Sequence, residues 1–119
     1  MRRARVGLGR QGERLAAQEL TRRGYEIVAR NWRCAAGEVD IIARRGVTWG
    51  FFEVRTRRGS ECGSPEESLT PVKQARMAAV AESYLAEQEA AEVDWRLGLV
   101  AVEMDAAGRL LRVDVYEDL

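Results

Sequence analysis

The chain has 119 residues, of which 46% are hydrophobic and 32% are charged, and its formal net charge is zero. These figures predict a single domain over residues 1–119, without a membrane span or a secretory signal, and hence a cytoplasmic protein. The sequence contains no histidine, which excludes serine-histidine triads and histidine bases and leaves carboxylates, arginines, hydroxyls and thiols to carry any chemistry.

The zero net charge conceals two halves of opposite sign. Residues 1–58 hold 14 arginines and six acidic residues, whereas residues 59–119 hold five basic and 13 acidic residues. A basic half predicts nucleic acid as the first partner to test. Lys73 is the only lysine among the 19 basic residues. This bias indicates either selection for guanidinium groups that bind phosphate or an arginine-rich genome.

The first half of the chain is predicted to form one helix and three strands. The glycine-rich residues 7–12 predict an irregular entry to a helix that Gly24 ends. Gly46 and Val47 are predicted to be the central residues of a hairpin turn, because glycine accepts the positive φ that such a turn requires. Alternating apolar residues predict strands at 25–33, 38–44 and 49–57.

The second half begins with a polar loop at residues 59–69, followed by a helix. Thr70 and Pro71 are typical of a helix start, as the N-cap and the first helical residue. The helical period continues to about residue 89 through Val72, Ala75 and Ala79.

Two further strands are predicted at the C-terminal end. Residues 95–104 are apolar on both faces, as in a central strand that is covered on both sides, and residues 110–116 alternate as an edge strand. The predicted order is α-β-β-β-α-β-β. It describes an α/β domain with a mixed central sheet flanked by two helices.

The hairpin turn predicts which side chains of the second and third strands face each other. Glu53 is expected opposite Asp40, and Arg55 opposite Glu38, which it could simply neutralise. The other face of the hairpin is predicted to be an apolar core face of Val39, Ile41, Phe52 and Val54.

Two carboxylates in a cross-strand pair are the feature that points to a function. Like charges in such a pair destabilise a sheet by about 0.2 to 1 kcal/mol, so a compensating group is expected. Paired carboxylates suit a hard divalent cation such as Mg²⁺, which in a phosphodiester nuclease polarises the phosphoryl oxygen and lowers the pKa of the attacking water. The alternative is that both carboxylates face solvent and pair with nearby arginines.

Four short motifs, taken in chain order, resemble a known family. They are Gly12-Glu13, the run GEVDII at residues 37–42, the run FEVRTR at residues 52–57 with Gly63 after it, and Lys73 on the second helix. Over roughly residues 9–85 they are similar to the small bacterial YraN-type proteins of the PD-(D/E)XK nuclease-like superfamily, close in layout to archaeal Holliday junction resolvases. The resemblance implies a restriction-endonuclease-like core.

The resemblance also implies an activity. The protein would be a nucleic-acid-binding, metal-dependent endonuclease-like protein, with DNA favoured as the substrate and branched DNA included. Glu13, Asp40 and Glu53 would hold Mg²⁺ or Mn²⁺, and the catalytic residues would be Asp40, Glu53 and Arg55. The chain departs from the family where Arg55 replaces a lysine and where Arg96-Leu97-Gly98 replaces Arg-Phe-Asp.

Arg55 leaves three interpretations open, because arginine stabilises charge at a phosphate but is too basic to release a proton. The substitution is tolerated, or Lys73 compensates for it, or the site binds without cleaving. In the last case the protein is a catalytically inactive DNA- or RNA-binding module or adaptor. A homodimer is expected by analogy with the resolvases. A further alternative is an interaction protein that pairs its basic and acidic halves in a dimer.

Further nucleic-acid contacts are predicted at both ends of the third strand. Trp49, beside Arg44, is the candidate for stacking on a base. The resemblance implies that Arg55, Arg57 and Arg58 hold the phosphate backbone, with Lys73 as an additional contact. The alternative for the arginine run is a solvated strand end.

Overall fold

The computed structural model describes residues 2–59, 63–90 and 93–119, with side chains described from residue 9 onward. None of the helices in these ranges is long and apolar enough to cross a membrane. The elements are α1 (Arg2–Arg22), β1 (Glu26–Cys34), β2 (Gly37–Arg45), β3 (Thr48–Arg58), a 3₁₀ helix (Pro65–Ser68), α2 (Pro71–Glu87), β4 (Asp94–Met104) and β5 (Leu110–Tyr116). The predicted order is confirmed, with the 3₁₀ helix as an addition.

The five strands form one mixed sheet in the order β1-β2-β3-β4-β5. Strands β3 and β4 are parallel, and the other neighbours are antiparallel. A parallel pair needs a crossover connection, which α2 supplies. As predicted, β5 lies at the edge, and β4 is an inner strand whose residues 99–102 are all buried. The α/β domain with a mixed sheet and two helices is therefore confirmed.

Each helix covers one face of the sheet. On the α1 face, Leu20 packs with Phe52 and other apolar residues of β2, β3 and β4. On the α2 face, Val80 and Tyr84 pack with Phe51 and its neighbours. Because Phe51 and Phe52 are consecutive in β3, their side chains point to opposite faces, and the two clusters are separated by the sheet.

Helix α1 begins at Arg2, so the prediction of an irregular entry at residues 7–12 is wrong. Gly12 instead serves close packing, because a Cβ at this position would overlap the Oγ1 of Thr56 on β3. Gly24 follows the helix at a φ of +95°. The predicted helix end is thus confirmed by a residue that accepts a left-handed conformation at little cost.

The start of α2 is as predicted, but the apolar residues that indicate its period in the sequence, Val72, Ala75 and Ala79, are exposed. The Lys73 backbone N–H donates to Thr70 Oγ1 at 3.2 Å, which makes Thr70 the N-cap. Val72 is 67% exposed, and the buried residues of the helix are Met77, Val80, Ala81, Tyr84 and Leu85. Small apolar residues lie on several sides of this helix, so the larger side chains, which remove more area from water, decide the packing face.

The hairpin register is confirmed from the turn as far as Ile41 opposite Phe52. The expectation that Val39 shares a face with Ile41 is wrong, because Val39 packs in the α2 cluster and Ile41 in the α1 cluster. The break in alternation falls at Asp40. Its neighbour on β1, Asn31, has a φ of +52°, so both strands leave the regular pleat at this level.

Candidate functional site

The site is built on a fork in the sheet. Main-chain pairing of β2 with β3 ends at Ile41 and Phe52, while β2 stays paired with β1 and β3 stays paired with β4. We call residues 37–40 of β2 and 53–58 of β3 the fork. The Val54 backbone N–H donates to Asp40 Oδ2 at 2.8 Å, so that a side-chain carboxylate replaces a main-chain acceptor at its apex.

The fork opens into a cleft of about 1030 Å³ between α1 and α2. Its charged lining consists of four carboxylates, Glu13, Glu38, Asp40 and Glu53, and five cationic side chains, Arg55, Arg57, Arg58, Lys73 and Arg76. Seven of the nine predicted site residues therefore lie in one cleft, although they come from four different elements.

Asp40 and Glu53 lie close enough for their carboxyl groups to share a proton. Burial is the main cause that raises the pKa of Asp40 to about 7, and the adjacent Glu53 and the charge of Glu38 act in the same direction. The hydrogen bond from Val54 opposes them. The predicted meeting of the two carboxylates thus has the expected electrostatic consequence, which is repulsion that a proton or a cation relieves.

Glu13 reaches the same region from α1. Burial is the main cause that raises the pKa of Glu13; a hydrogen bond with Asn31 opposes it, and the charges of Asp40 and Glu38 add to it. The predicted third metal ligand therefore lies within electrostatic range of the pair.

The donor set fits a hard divalent cation, because it consists of carboxylate oxygen atoms. Mg²⁺ needs only one or two carboxylates and completes its shell with water. Over the part of the chain that the structure describes, no three metal-binding side chains converge on a common point. A cation here would therefore be held by the Asp40 and Glu53 pair together with water.

Arg55 does not neutralise Glu38. Its Nη2 lies 3.6 Å from Glu53 Oε1, and its Nε is buried without a hydrogen-bond partner. Glu38 instead forms an ion pair with Arg33, which lies opposite it on β1, at 2.5 Å. The expected pairing fails because the β2 and β3 ladder ends before it reaches these residues.

A cationic wall faces the carboxylates. Arg57 and Arg58 come from the end of β3, and Lys73 comes from the first turn of α2. Arg76, which the sequence analysis missed, lines the cleft beside them. Its spacing of three residues from Lys73 places both on one side of the helix, and this spacing is the signal that could have found it.

Arg44 and Trp49 lie outside the cleft, near the hairpin turn. Arg44 forms an ion pair with Glu26 at 3.0 Å, and its guanidinium lies 5.4 Å from the centre of the Trp49 ring. Trp49 also packs against Tyr84, with ring centres 5.8 Å apart. The structure does not bring this pair together with the other predicted site residues.

Comparisons with known proteins match nearly the whole chain. The model of a family described as "Uncharacterised protein family UPF0102" matches residues 12–115, which include the fork and the charged side chains that line the cleft. The chain is 48% identical to a UPF0102 protein of Roseiflexus castenholzii, over 84% of this chain and 82% of the relative. It is 49% identical to one of Acidothermus cellulolyticus, over 92% and 85% of the two chains. These matches confirm the resemblance to YraN-type proteins, and the chain belongs to the UPF0102 family.

Proposed function

We propose that the protein is a metal-dependent endonuclease-like protein that hydrolyses phosphodiester bonds of nucleic acid, with DNA favoured. The observation that carries the proposal is the Asp40 and Glu53 pair at the apex of the fork, facing a wall of cationic side chains in one cleft. Carboxylates that attract a cation and arginines that attract phosphate are the two requirements of metal-dependent phosphodiester hydrolysis. A cytoplasmic location, where bacterial nucleic acid lies, is part of the proposal.

Asp40 and Glu53 would hold Mg²⁺ or Mn²⁺, with Glu13 acting from α1. The cation would polarise the phosphoryl oxygen and lower the pKa of the attacking water. The hydrogen bond from Val54 holds the Asp40 carboxylate in one orientation. Arg55 would contact the scissile phosphate, since its guanidinium lies beside Glu53 and its buried Nε lacks a partner.

The proposal includes a restriction-endonuclease-like core. The element order, the mixed sheet and the placement of the carboxylates at a fork between two helices support it. These features agree with the layout that the YraN-type resemblance implies, and the assignment extends from the confirmed α/β fold to a specific superfamily.

A second candidate function is a catalytically inactive DNA- or RNA-binding module or adaptor. Arg55 in place of the family's lysine favours it, because a guanidinium is too basic to assist in deprotonating water. Lys73 lines the same cleft and is the side chain that would compensate. A homodimer stays a prediction for either function.

A cleavage assay tests the proposal on duplex, single-stranded and branched DNA with Mg²⁺ or Mn²⁺. Asp40→Asn and Glu53→Gln are compared with Glu82→Gln, which removes an exposed carboxylate of α2 outside the cleft. We expect both cleft variants to lose at least ~100-fold in rate and Glu82→Gln to keep the wild-type rate.

The other outcomes separate the candidates. Equal cleavage by the wild type and Asp40→Asn would contradict the proposed site. No cleavage by any version, together with salt-sensitive binding, would favour the binding module. Absence of binding at low salt would overturn both.

Mn²⁺ is also expected to raise the melting temperature of the wild type but not that of Asp40→Asn.

A further inference from the structure

The cationic wall is distinct from the carboxylate pair. Glu53, Arg55 and Arg57 alternate along β3 and point to the same face as Phe51, which is the face that α2 covers. Lys73 and Arg76 line the cleft from α2 on that same side. Arg57 is therefore one step further than Arg55 from the carboxylates and lies on the α2 side of the cleft.

Three cations of the cleft form no ion pair with a carboxylate of the described residues, although Arg57 Nη1 donates to the backbone carbonyl of Thr56 at 3.4 Å. Within the described residues, ion pairs with carboxylates involve Arg22, Arg23, Arg33, Arg44, Arg45, Arg55, Arg96 and Arg112. Arg57, Lys73 and Arg76 form none in the same part of the chain. The Nε of Arg57 is buried without a hydrogen-bond partner. A buried donor without an acceptor destabilises the fold, and an anion bound in the cleft would offset this effect.

The cleft offers no aromatic surface. All eight aromatic residues lie in the described part of the chain, and none lines the cleft. The tryptophans are engaged in the α2 cluster, since Trp32 and Trp49 pack on Tyr84 and Trp95 packs on Phe51. Grooves that bind single strands depend on stacking of bases on aromatic side chains. This cleft can contact phosphates but has no platform for unpaired bases.

We infer that Arg57, Lys73 and Arg76 form a phosphate-binding subsite beside the carboxylate pair, which takes the backbone of duplex DNA without reading its bases. The choice of ligand rests on the proposed function, but the subsite requires neither a metal nor cleavage. Arg55 and Arg57 are two residues apart on a strand, or about 6.6 Å. This separation is comparable with that of neighbouring phosphates along one strand of DNA, so the two arginines would contact successive phosphates.

Binding of a fluorescent 16-base-pair DNA duplex, measured by anisotropy in EDTA at several salt concentrations, tests the inference. The variants are Arg57→Gln, Lys73→Gln and Arg76→Gln. The matched control is Arg109→Gln, which removes the same charge from an exposed arginine in the turn before β5, outside the cleft. Each cleft variant is expected to bind about 5- to 10-fold more weakly and to reduce the slope of log K against log salt by about one. Arg109→Gln is expected to stay within about twofold of the wild type.

Two further arms test the absence of base reading. A duplex of unrelated sequence is expected to bind within about twofold, and a single strand of the same length to bind more weakly. Tighter binding of the single strand, or a strong sequence preference, would overturn the inference. Cleft variants that bind like Arg109→Gln would overturn it as well.

Arg57 is half-buried, so Arg57→Lys is included as a variant that keeps the charge and is expected to bind within about threefold of the wild type. Loss of binding in correctly folded Arg57→Lys would count against a phosphate contact by charge. Binding in EDTA that depends on Arg57, Lys73 and Arg76, without cleavage in Mg²⁺, would support the subsite and contradict the nuclease. Cleavage that depends on Asp40 but not on these three residues would support the nuclease and contradict the subsite.

Discussion

The Val54 backbone N–H donates to the Asp40 carboxylate at 2.8 Å, at the point where β2 and β3 stop pairing. An acidic side chain is thereby held inside the sheet, where it meets Glu53 instead of solvent. Burial at this position and the adjacent Glu53 raise the pKa of Asp40, and the cleft opens here because the strands must separate to admit the side chain.

Asp40→Asn is expected to stabilise the metal-free protein at high pH. The pKa of Asp40 is about 7 in the folded protein against a usual value of 3.8, so the folded state binds the proton more tightly than the unfolded state. The stability that the protonated Asp40 carboxyl gives to the folded state is fully present below about pH 4 and is lost as the pH rises through about 7. Asparagine keeps an acceptor for Val54 without the charge. Thermal unfolding in EDTA should show a gain on the order of 2 to 4 kcal/mol at pH 8 and little at pH 4. Parallel pH profiles of the two proteins would contradict this.

Arg55→Lys is expected to raise the cleavage rate in Mg²⁺ at least ~10-fold, because an ammonium group can help to position and deprotonate water where a guanidinium cannot. Single-turnover kinetics on the preferred DNA measure this rate, and Arg55→Gln, which removes the charge, should be slower than the wild type. An unchanged rate in Arg55→Lys, combined with a loss in Lys73→Gln, would refute the prediction and assign the role to Lys73.

Gly12→Ala is expected to destabilise the fold by about 1 to 3 kcal/mol, because the added methyl group overlaps Thr56 Oγ1. Thr56→Ala should restore part of the loss when it is combined with Gly12→Ala. Gly9→Ala is the control, since a Cβ there meets no atom within 4 Å. It should stabilise the helix by up to about 1 kcal/mol. Urea unfolding of all four variants measures these effects, and additive free energies for positions 12 and 56 would show that the contact is absent.

Arg112→Gln is expected to loosen the 3₁₀ helix. The Arg112 guanidinium donates to Glu66 at 2.8 and 3.0 Å and also binds Glu103 on β4. The hydrogen bonds from Arg112 are the main cause that lowers the pKa of Glu66 to about 2. The stability that these bonds give to the folded state is therefore fully present above about pH 4.5 and is lost as the pH falls towards 2. Because the pair is partly exposed, the loss should be about 1 kcal/mol.

Limited proteolysis measures the loosening, since cleavage within residues 63–70 should be faster in Arg112→Gln. Arg96→Gln is the control, because its pair with Asp94 is exposed and 3.5 Å long. Equal cleavage of Arg112→Gln and Arg96→Gln would show that the contact with Glu66 does not anchor this segment.

Much of the fold was predictable because its signals are local. Thr70 and Pro71 mark a helix start through groups that bond within one turn. Gly46, with a φ of +63°, sets the turn that determines the register as far as Ile41 and Phe52. The start of α1 was not predictable in this way. Its glycines suggest an irregular segment when only near neighbours are considered, but Gly12 lies within the helix, where its contact with Thr56 on β3 leaves no room for a side chain.

The sequence by itself determined the order of the elements, the meeting of Asp40 with Glu53 and membership of the family, because turns, caps and motifs depend on near neighbours in the chain. Only the tertiary structure decided that the ladder ends at the apex of the fork and that Arg76 joins Arg57 and Lys73. It also decided that Trp49 packs away from the cleft. Those outcomes depend on how α1 and α2 pack on opposite faces of the sheet, and that packing brings together residues that are far apart along the chain.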